Sequence, residues 1–186
     1  MKNINKLKNR SAAFTLIELL VVISIIAVLA SLALPAITGA LVKGQITQTM
    51  SNYRQLYITS QSASLDASAS GGSNVGFPGD SGSIAGWSNA IVPNYLSAQS
   101  FANLLAVKGT AANTLAWDPT PSSNSSGVML TTANLTGTSN TATVGNVAPY
   151  NLKGAAAVSV SGQAMSVVGT NTAPLTNCMN FGTQVN

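Results

Sequence analysis

A chain of 186 residues in which 46% are hydrophobic allows one ordinary domain, or a small domain with an appendage. Only 6% of residues are charged, against roughly 25% in typical soluble domains, and histidine is absent. That excludes Ser-His-Asp and Cys-His catalysis and the commonest zinc sites. The single cysteine, Cys178, excludes an intrachain disulfide and any cysteine-based metal cluster.

The net charge of +4 belongs to one end of the chain. Lys2, Lys6, Lys8 and Arg10 all precede Phe14, with no acid among them. Beyond that point Lys43, Arg54, Lys108 and Lys153 balance Glu18, Asp66, Asp80 and Asp118. The body is formally neutral, so its four scattered cations make no nucleic-acid footprint despite a pI near 9.5.

From Phe14 to Leu34 the sequence reads FTLIELLVVISIIAVLASLAL. As a helix this stretch measures about 31 Å, enough for a hydrocarbon core of about 30 Å. The basic cluster before it orients the span with its N-terminus in the cytoplasm and everything after Leu34 outside. Two plainer readings share these features: a simple N-terminal anchor, and a secretory signal peptide cut near Ser31-Leu32-Ala33. Against the second, the apolar run exceeds a usual signal-peptide core and Glu18 interrupts its start. A carboxylate there persists when it is shallow, protonated or paired. It is either a helix-end glutamate reaching the headgroups or the partner of a cation presented by another copy.

The order of a basic leader, a small Ala13, then Phe14-Thr15-Leu16-Ile17-Glu18 and an apolar run resembles the class III signal of type IV pilins and type II secretion pseudopilins. The resemblance covers about the first fifty residues, and Ala13 stands where the family usually has Gly. It implies cleavage between Ala13 and Phe14 by a membrane-embedded prepilin peptidase and methylation of the new Phe14 amino group. It also implies an assembly role for Glu18, paired with the N-terminal ammonium of a neighbouring subunit.

Pro35 cannot donate to the carbonyl of Ser31, so a helix break or kink is expected there, with Gly39 and Gly44 weakening the next turns. The resemblance implies the same, since pilins commonly carry a helix breaker at this place. A helical stripe then resumes, with Val42 leading into Ile46, Met50, Tyr53 and Tyr57, and it is expected to pack under an outer domain.

Past Ser68 the composition turns to Ser, Thr, Asn, Gly and Ala, and a turn-rich connector leads to Phe77-Pro78-Gly79-Asp80, a turn in which Gly79 would take a positive φ. Two short helical pieces are expected within 88–107, divided near Pro93, the second from Ser97 with Gly109 as its stop. Strands are expected at 128–130, 141–144, 157–160 and 164–168, the last two joined by a hairpin through Ser161-Gly162-Gln163. Val158 and Val160 alternate with serines, as a half-buried strand does. Asn124-Ser-Ser and Asn134-Leu-Thr match the N-glycosylation pattern in a polar stretch, a match that such a composition produces by chance. Cys178 reads as a buried free thiol, with an intermolecular disulfide as its alternative. Three aspartates spread over Asp66, Asp80 and Asp118 do not make a calcium site, and no metal or cofactor is assigned.

The expected fold class is α+β, with a long N-terminal helix, transmembrane in its first half, packed on a small antiparallel head. Its parts are a basic leader (1–13), a transmembrane and assembly helix (14–35), the outer half of the helix (36–66) and an extracytoplasmic head (67–186). The leading reading is a non-enzymatic subunit of a type IV pilus-like or pseudopilus filament, held in the inner membrane before assembly. Its partners would be copies of itself, the peptidase and the inner-membrane assembly machinery. The alternative is an N-terminally anchored periplasmic or surface binding protein that never polymerises. If the peptidase assignment holds, replacing Ala13 with a bulky residue leaves a membrane-inserted precursor, heavier by the leader. Mass spectrometry of the membrane fraction checks this, and normal maturation would refute it.

Overall fold

The computed structural model describes residues 14–72, 76–81, 83–107, 115–116, 127–138 and 141–173. The chain divides into two compact units, Met1–Ala40 and Leu41–Asn186. Helix α1 covers Leu16–Ala69, 54 residues. It is followed by α2 (Pro78–Ser81), α3 (Ile84–Ile91) and α4 (Ala98–Leu105). Strands β1 (Leu115–Ala116), β2 (Val128–Thr132), β5 (Gly154–Ser159) and β6 (Ala164–Val168) form one antiparallel sheet in the order β1-β2-β5-β6. Strands β3 (Leu135–Thr138) and β4 (Thr141–Val144) pair as a separate hairpin. The chain is thus α+β, a long helix whose N-terminal part is apolar together with a small antiparallel sheet.

In the second unit α1 buries Ile46, Thr49, Tyr53, Leu56, Ser60, Ala63 and Ser64. They recur at alternating intervals of three and four up to Ala63, the spacing that keeps side chains on one helical face. Tyr53 and Leu56 join Met129, Leu130 and Val158 of the sheet in one apolar cluster, along with Trp87, Ile91, Phe101 and Leu105 from α3 and α4. Ile46 meets Val107, Tyr150 and Ala156 in a second cluster. The other side of the sheet is covered too, because Val128, Ala155, Ala157 and Val167 pack with Leu135, Ala142 and Val144 of the β3–β4 hairpin. β5 is therefore buried along its whole length.

That corrects two expectations. The strand does not begin at Ala157 and is not half-buried; it starts at Gly154 and ends at Ser159, with Val160 in the turn. A strand covered on both faces has no reason to alternate apolar and polar residues, which removes the signal that was read. In β2 the register shifts between Val128 and Leu130. A bulge of this kind lets successive residues Met129 and Leu130 share the cluster beneath α1 while Val128 faces the hairpin.

Several polar side chains within this core are tied to partners, while Asn134 Oδ1 and Asp80 Oδ2 are buried without one among the described residues. The Trp87 indole N–H, fully buried, donates to Ser60 Oγ and to the Gly76 carbonyl, each at 3.0 Å. Its ring meets Phe101 edge-on at 5.1 Å, a favoured aromatic geometry. A Cβ on Gly76 would lie 2.5 Å from the Ser60 carbonyl oxygen, so the loop can approach α1 this closely only as glycine. The Tyr53 hydroxyl donates to the Thr131 carbonyl at 3.3 Å. The Tyr150 hydroxyl is 2.5 Å from Thr49 Oγ1 and donates to the Gln45 carbonyl at 3.1 Å.

Local chemistry sets the element ends. α1 stops in a Schellman arrangement: the Gly72 N–H donates to the Ala67 carbonyl at 2.9 Å and the Gly71 N–H to that of Ser68 at 3.3 Å, with Gly71 at φ +71°. Ser83 and Ser97 cap α3 and α4, accepting from the N–H of Gly86 and Ser100. The first of the two expected short helices therefore begins earlier than position 88. The Phe77–Asp80 turn is also corrected: Pro78 starts the helical turn α2, where its fixed φ suits a first helical position, so Gly79 takes no positive φ. Gly109, Asn124 and Cys178 lie outside the described residues.

Pro35 lies inside α1, so the helix continues across the expected break. Proline costs one hydrogen bond to the preceding turn. Apolar helices tolerate that where Ser or Thr side chains and local adjustment meet the freed groups. The carbonyl that Pro35 leaves without its donor is that of Ser31; the Thr38 hydroxyl, in the next turn, donates to the carbonyl of Pro35 itself at 2.9 Å.

Two predictions follow from this packing. Gly162, in the β5–β6 turn, has φ +82°, and a Cβ there would collide with the Tyr57 ring. Gly162→Ala should lower the stability of the detergent-solubilised chain by about 1–3 kcal/mol, read from chemical denaturation. Burial pushes the Tyr53 hydroxyl up, helped by the neighbouring Tyr150 charge. Burial also raises Tyr150, against the opposing bond from Thr49. Because the native pKa values are raised, the tyrosines' contribution is fully present below the unfolded value of about 10 and is lost as pH climbs past it. Denaturation midpoints should be flat with respect to tyrosine ionisation below that pH and fall above it, less steeply in Tyr53→Phe.

Candidate functional site

The first unit is an apolar helix with little of its side-chain surface covered. Large apolar residues from Phe14 to Leu34 are between 47% and 87% exposed, Val22 least and Leu16 most. Its hydroxyls turn back onto the helix: Ser24 Oγ donates to the Leu20 carbonyl and Ser31 Oγ to that of Val28, both at 2.8 Å. Hydroxyls satisfied in this way carry no free donor into an apolar surrounding. Among the described residues, α1 is the one helix long and apolar enough to cross a membrane.

At the start of this helix stands Glu18, in the first turn. One of its oxygens, Oε2, accepts from the Thr15 backbone N–H at 2.8 Å and from the Thr15 hydroxyl at 2.7 Å. In return the Thr15 Oγ1 accepts from the Glu18 N–H at 3.3 Å. This is a capping box: a threonine at the helix cap and a glutamate three residues on satisfy each other's backbone donors. Negative charge in the first turn also suits the positive end of the helix dipole. Phe14 precedes the box and is 76% exposed.

The structure thus groups Phe14 and Glu18 around one helix start, with Pro35 farther along α1. Ala13 lies outside the described residues. Thr15 was missed as a functional candidate, although a Thr-x-x-Glu spacing ahead of an apolar run is itself a readable sign. The sequence match at Asn134, read above as one that arises by chance, falls on an amide held inside the fold. Asn134 is fully buried, and its Nδ2 donates to the Asn151 carbonyl at 2.8 Å and the Gly154 carbonyl at 2.6 Å. The amide that a sugar would need holds the start of β5 against the turn after β2. Of the aspartates, Asp66 accepts from the Tyr95 hydroxyl at 2.7 Å. Asp80 sits in α2 with its carboxyl pushed up by burial, against a backbone bond from Phe77. Asp118 lies outside the described residues, and no group of three or more metal-ligating side chains occurs among those described.

A family model described as the prokaryotic N-terminal methylation motif matches residues 8–34, the segment that holds this helix start. The type IV major fimbrial protein FimA of Dichelobacter nodosus is 32% identical over 73 residues, 39% of this chain and 47% of the relative. The chain thus spans about half the length of the curated relative it matches. No solved structure matches. The motif and the relative both support a likeness to the type IV pilins, carried by the N-terminal part of the chain. With the apolar helix they also support membrane anchoring of the chain.

Proposed function

We propose that this chain is a subunit of an extracytoplasmic filament, a type IV pilus or a related pseudopilus, stored in the inner membrane and built into the polymer from there. Residues 1–13 are the leader, removed by prepilin peptidase between Ala13 and Phe14, and Phe14 is then N-methylated. Residues 14–35 span the membrane with the N-terminus cytoplasmic, 36–66 continue the helix outside, and 67–186 form the extracytoplasmic head. The observation that carries the reading is the methylation motif over residues 8–34, ending in an apolar helix that opens on Thr15 and Glu18.

In the polymer the Phe14 ammonium of one copy meets the Glu18 carboxylate of another. In an apolar surrounding such a pair is much stronger than in water, and it offsets the desolvation of both groups when their hydrogen bonds are met. Contact between different patches on successive copies is head to tail, which generates open filaments in place of closed rings. Pro35 serves as a weak turn where the helix can give way as copies pack.

N-terminal mass spectrometry of the mature protein tests processing. Methyl-Phe14 is the expected start, whereas an intact leader would favour the anchored, non-polymerising alternative and a start near Leu34 a secreted one. Glu18→Val and Glu18→Gln test assembly. Both should be cleaved and membrane-bound yet depleted from sheared filaments, because an unpaired buried ammonium costs about 3–5 kcal/mol. Gln keeps an acceptor for Thr15 and loses only the charge, so the helix start survives in that variant. Wild-type filament yield from both would overturn the pairing.

A further inference from the structure

We propose that the outer edge of β6 is a docking edge for a second copy of this chain, the two β6 strands pairing antiparallel about Ser166. Strand β6 ends the sheet, with β5 on one side and no strand on the other among the described residues. The hairpin decides which of its backbone groups face that open side. The Ser159 N–H donates to the Gln163 carbonyl at 2.9 Å and the Gly169 N–H to that of Lys153 at 2.8 Å. Bonded and non-bonded pairs alternate along an antiparallel ladder, so Met165 and Val167 bond to Ala157 and Ala155. The N–H and C=O groups of Ala164, Ser166 and Val168 then point away from β5, and among the described residues they meet no partner. Natural edges are commonly guarded by charge, proline or a bulge. Ala164-Met-Ser-Val-Val168 has no charge and no proline, and its register with β5 runs without a shift.

The edge is complementary to itself. An incoming strand has to set its own outward residues opposite these three, and a register centred on Ser166 does so for all of them. Ala164 then faces Val168 of the second copy, Ser166 faces its counterpart, and each such pair exchanges two backbone hydrogen bonds. The pairing also covers part of Val168, which is 55% exposed. Lys153, bonded to Gly169 just past the Val168 end, is exposed. The two-fold sets the two lysines at opposite ends of the paired strands, so no like charges meet. An acidic or basic strand finds no complementary charge along β6, which favours a neutral strand such as β6 itself. A two-fold contact closes on itself and cannot propagate a polymer. It therefore ties a copy in one filament to a copy in another, weakly at each contact and more firmly by repetition along both. That last step rests on the filament reading above, whereas the strand pairing does not.

Cross-linking of the full processed chain in detergent, in a Cys178→Ser background, tests the pairing. Opposed residues of a bonded antiparallel pair have Cα atoms about 5.5 Å apart, within the reach of a disulfide. Ser166→Cys should therefore dimerise on mild oxidation with copper phenanthroline. Ser161→Cys is the control: it is exposed in the turn, yet in this register its two copies lie about 34 Å apart, so it should stay monomeric. A dimer yield from Ser166→Cys no higher than that from Ser161→Cys overturns the proposal, and leaves the edge to residues 174–186 of the same chain or to another protein. Sheared filaments test the occupant. Ser166→Lys and Ser166→Glu each set like charges opposite one another and should each lower low-speed pelleting of bundled filaments about fivefold. Mixing the two variants should restore it, since opposite charges then meet. Filaments that pellet alike in every variant, or a mixture that stays dispersed, refute the tie between filaments. If Ser166→Cys dimerises while the wild-type chain builds no filaments, the filament reading falls and the strand pairing stands.

Discussion

Strand β5 has to be covered on both faces, and the second unit is arranged around that requirement. Ala156 and Val158 belong to the clusters beneath α1, Ala155 and Ala157 to the cluster with the β3–β4 hairpin. Three successive alanines suit a strand squeezed between two layers, where a larger side chain on either face would push a neighbouring element away. Gly154 continues the theme at the strand's start: a Cβ there would run into the Val167 carbonyl and the end of the Ile46 side chain. With so little volume from β5 itself, the bulk of the core comes from its neighbours. Trp87, Tyr53, Leu56 and Met129 supply it, each fully or almost fully buried.

A chain with 6% charged residues settles its polar interior by hydrogen bonds. Thr49, Ser60, Thr131, Thr132, Asn134 and Ser159 are all buried, and the partners of several are backbone carbonyls or aromatic N–H and O–H groups. Such contacts are directional and fail if one partner moves, because a buried group without its partner costs more than the bond contributes. The same habit holds in the apolar unit, where the hydroxyls of Ser24 and Ser31 close on their own helix and the one carboxylate, Glu18, closes on Thr15. Both units thus meet polar groups by hydrogen bonds, local along the helix in the first and between distant segments in the second.

The legible parts of this fold were those with a strong local cause. The apolar run after Phe14, the hairpin through Gly162 and the serine that opens α4 each follow from a pattern within a few residues. The stripe on α1 was legible in its apolar members, Ile46 and Tyr53, while Met50 and Tyr57 turned out to flank it. Thr49 and Ser60 occupy the buried line instead, and hydropathy cannot mark a polar residue whose partner lies 101 or 27 positions away. β3 went unread because Leu135-Thr-Gly-Thr carries one large apolar residue, and its place is set by pairing with β4. At the helix start, Phe14 and Glu18 were readable from motif order. Thr15 was passed over because it carries no charge or strong hydropathy, and its only sign is the spacing to Glu18 that makes the capping box.

The Schellman stop at Gly71 and the partners along α1 have a consequence for how this chain can change over evolutionary time. Between Ile46 and Ser64 the helix acts as a ruler whose marks are Thr49, Tyr53 and Ser60, each matched to one distant atom. A substitution at a mark loses one contact. Inserting or deleting a single residue between two marks turns everything beyond it by about 100°, so the Tyr150, Thr131 and Trp87 partners cannot all be met. Length in this segment is therefore guarded more strictly than composition. Related chains should drift freely in the identity of the exposed positions here while keeping the number of residues between Thr49 and Ser60 unchanged.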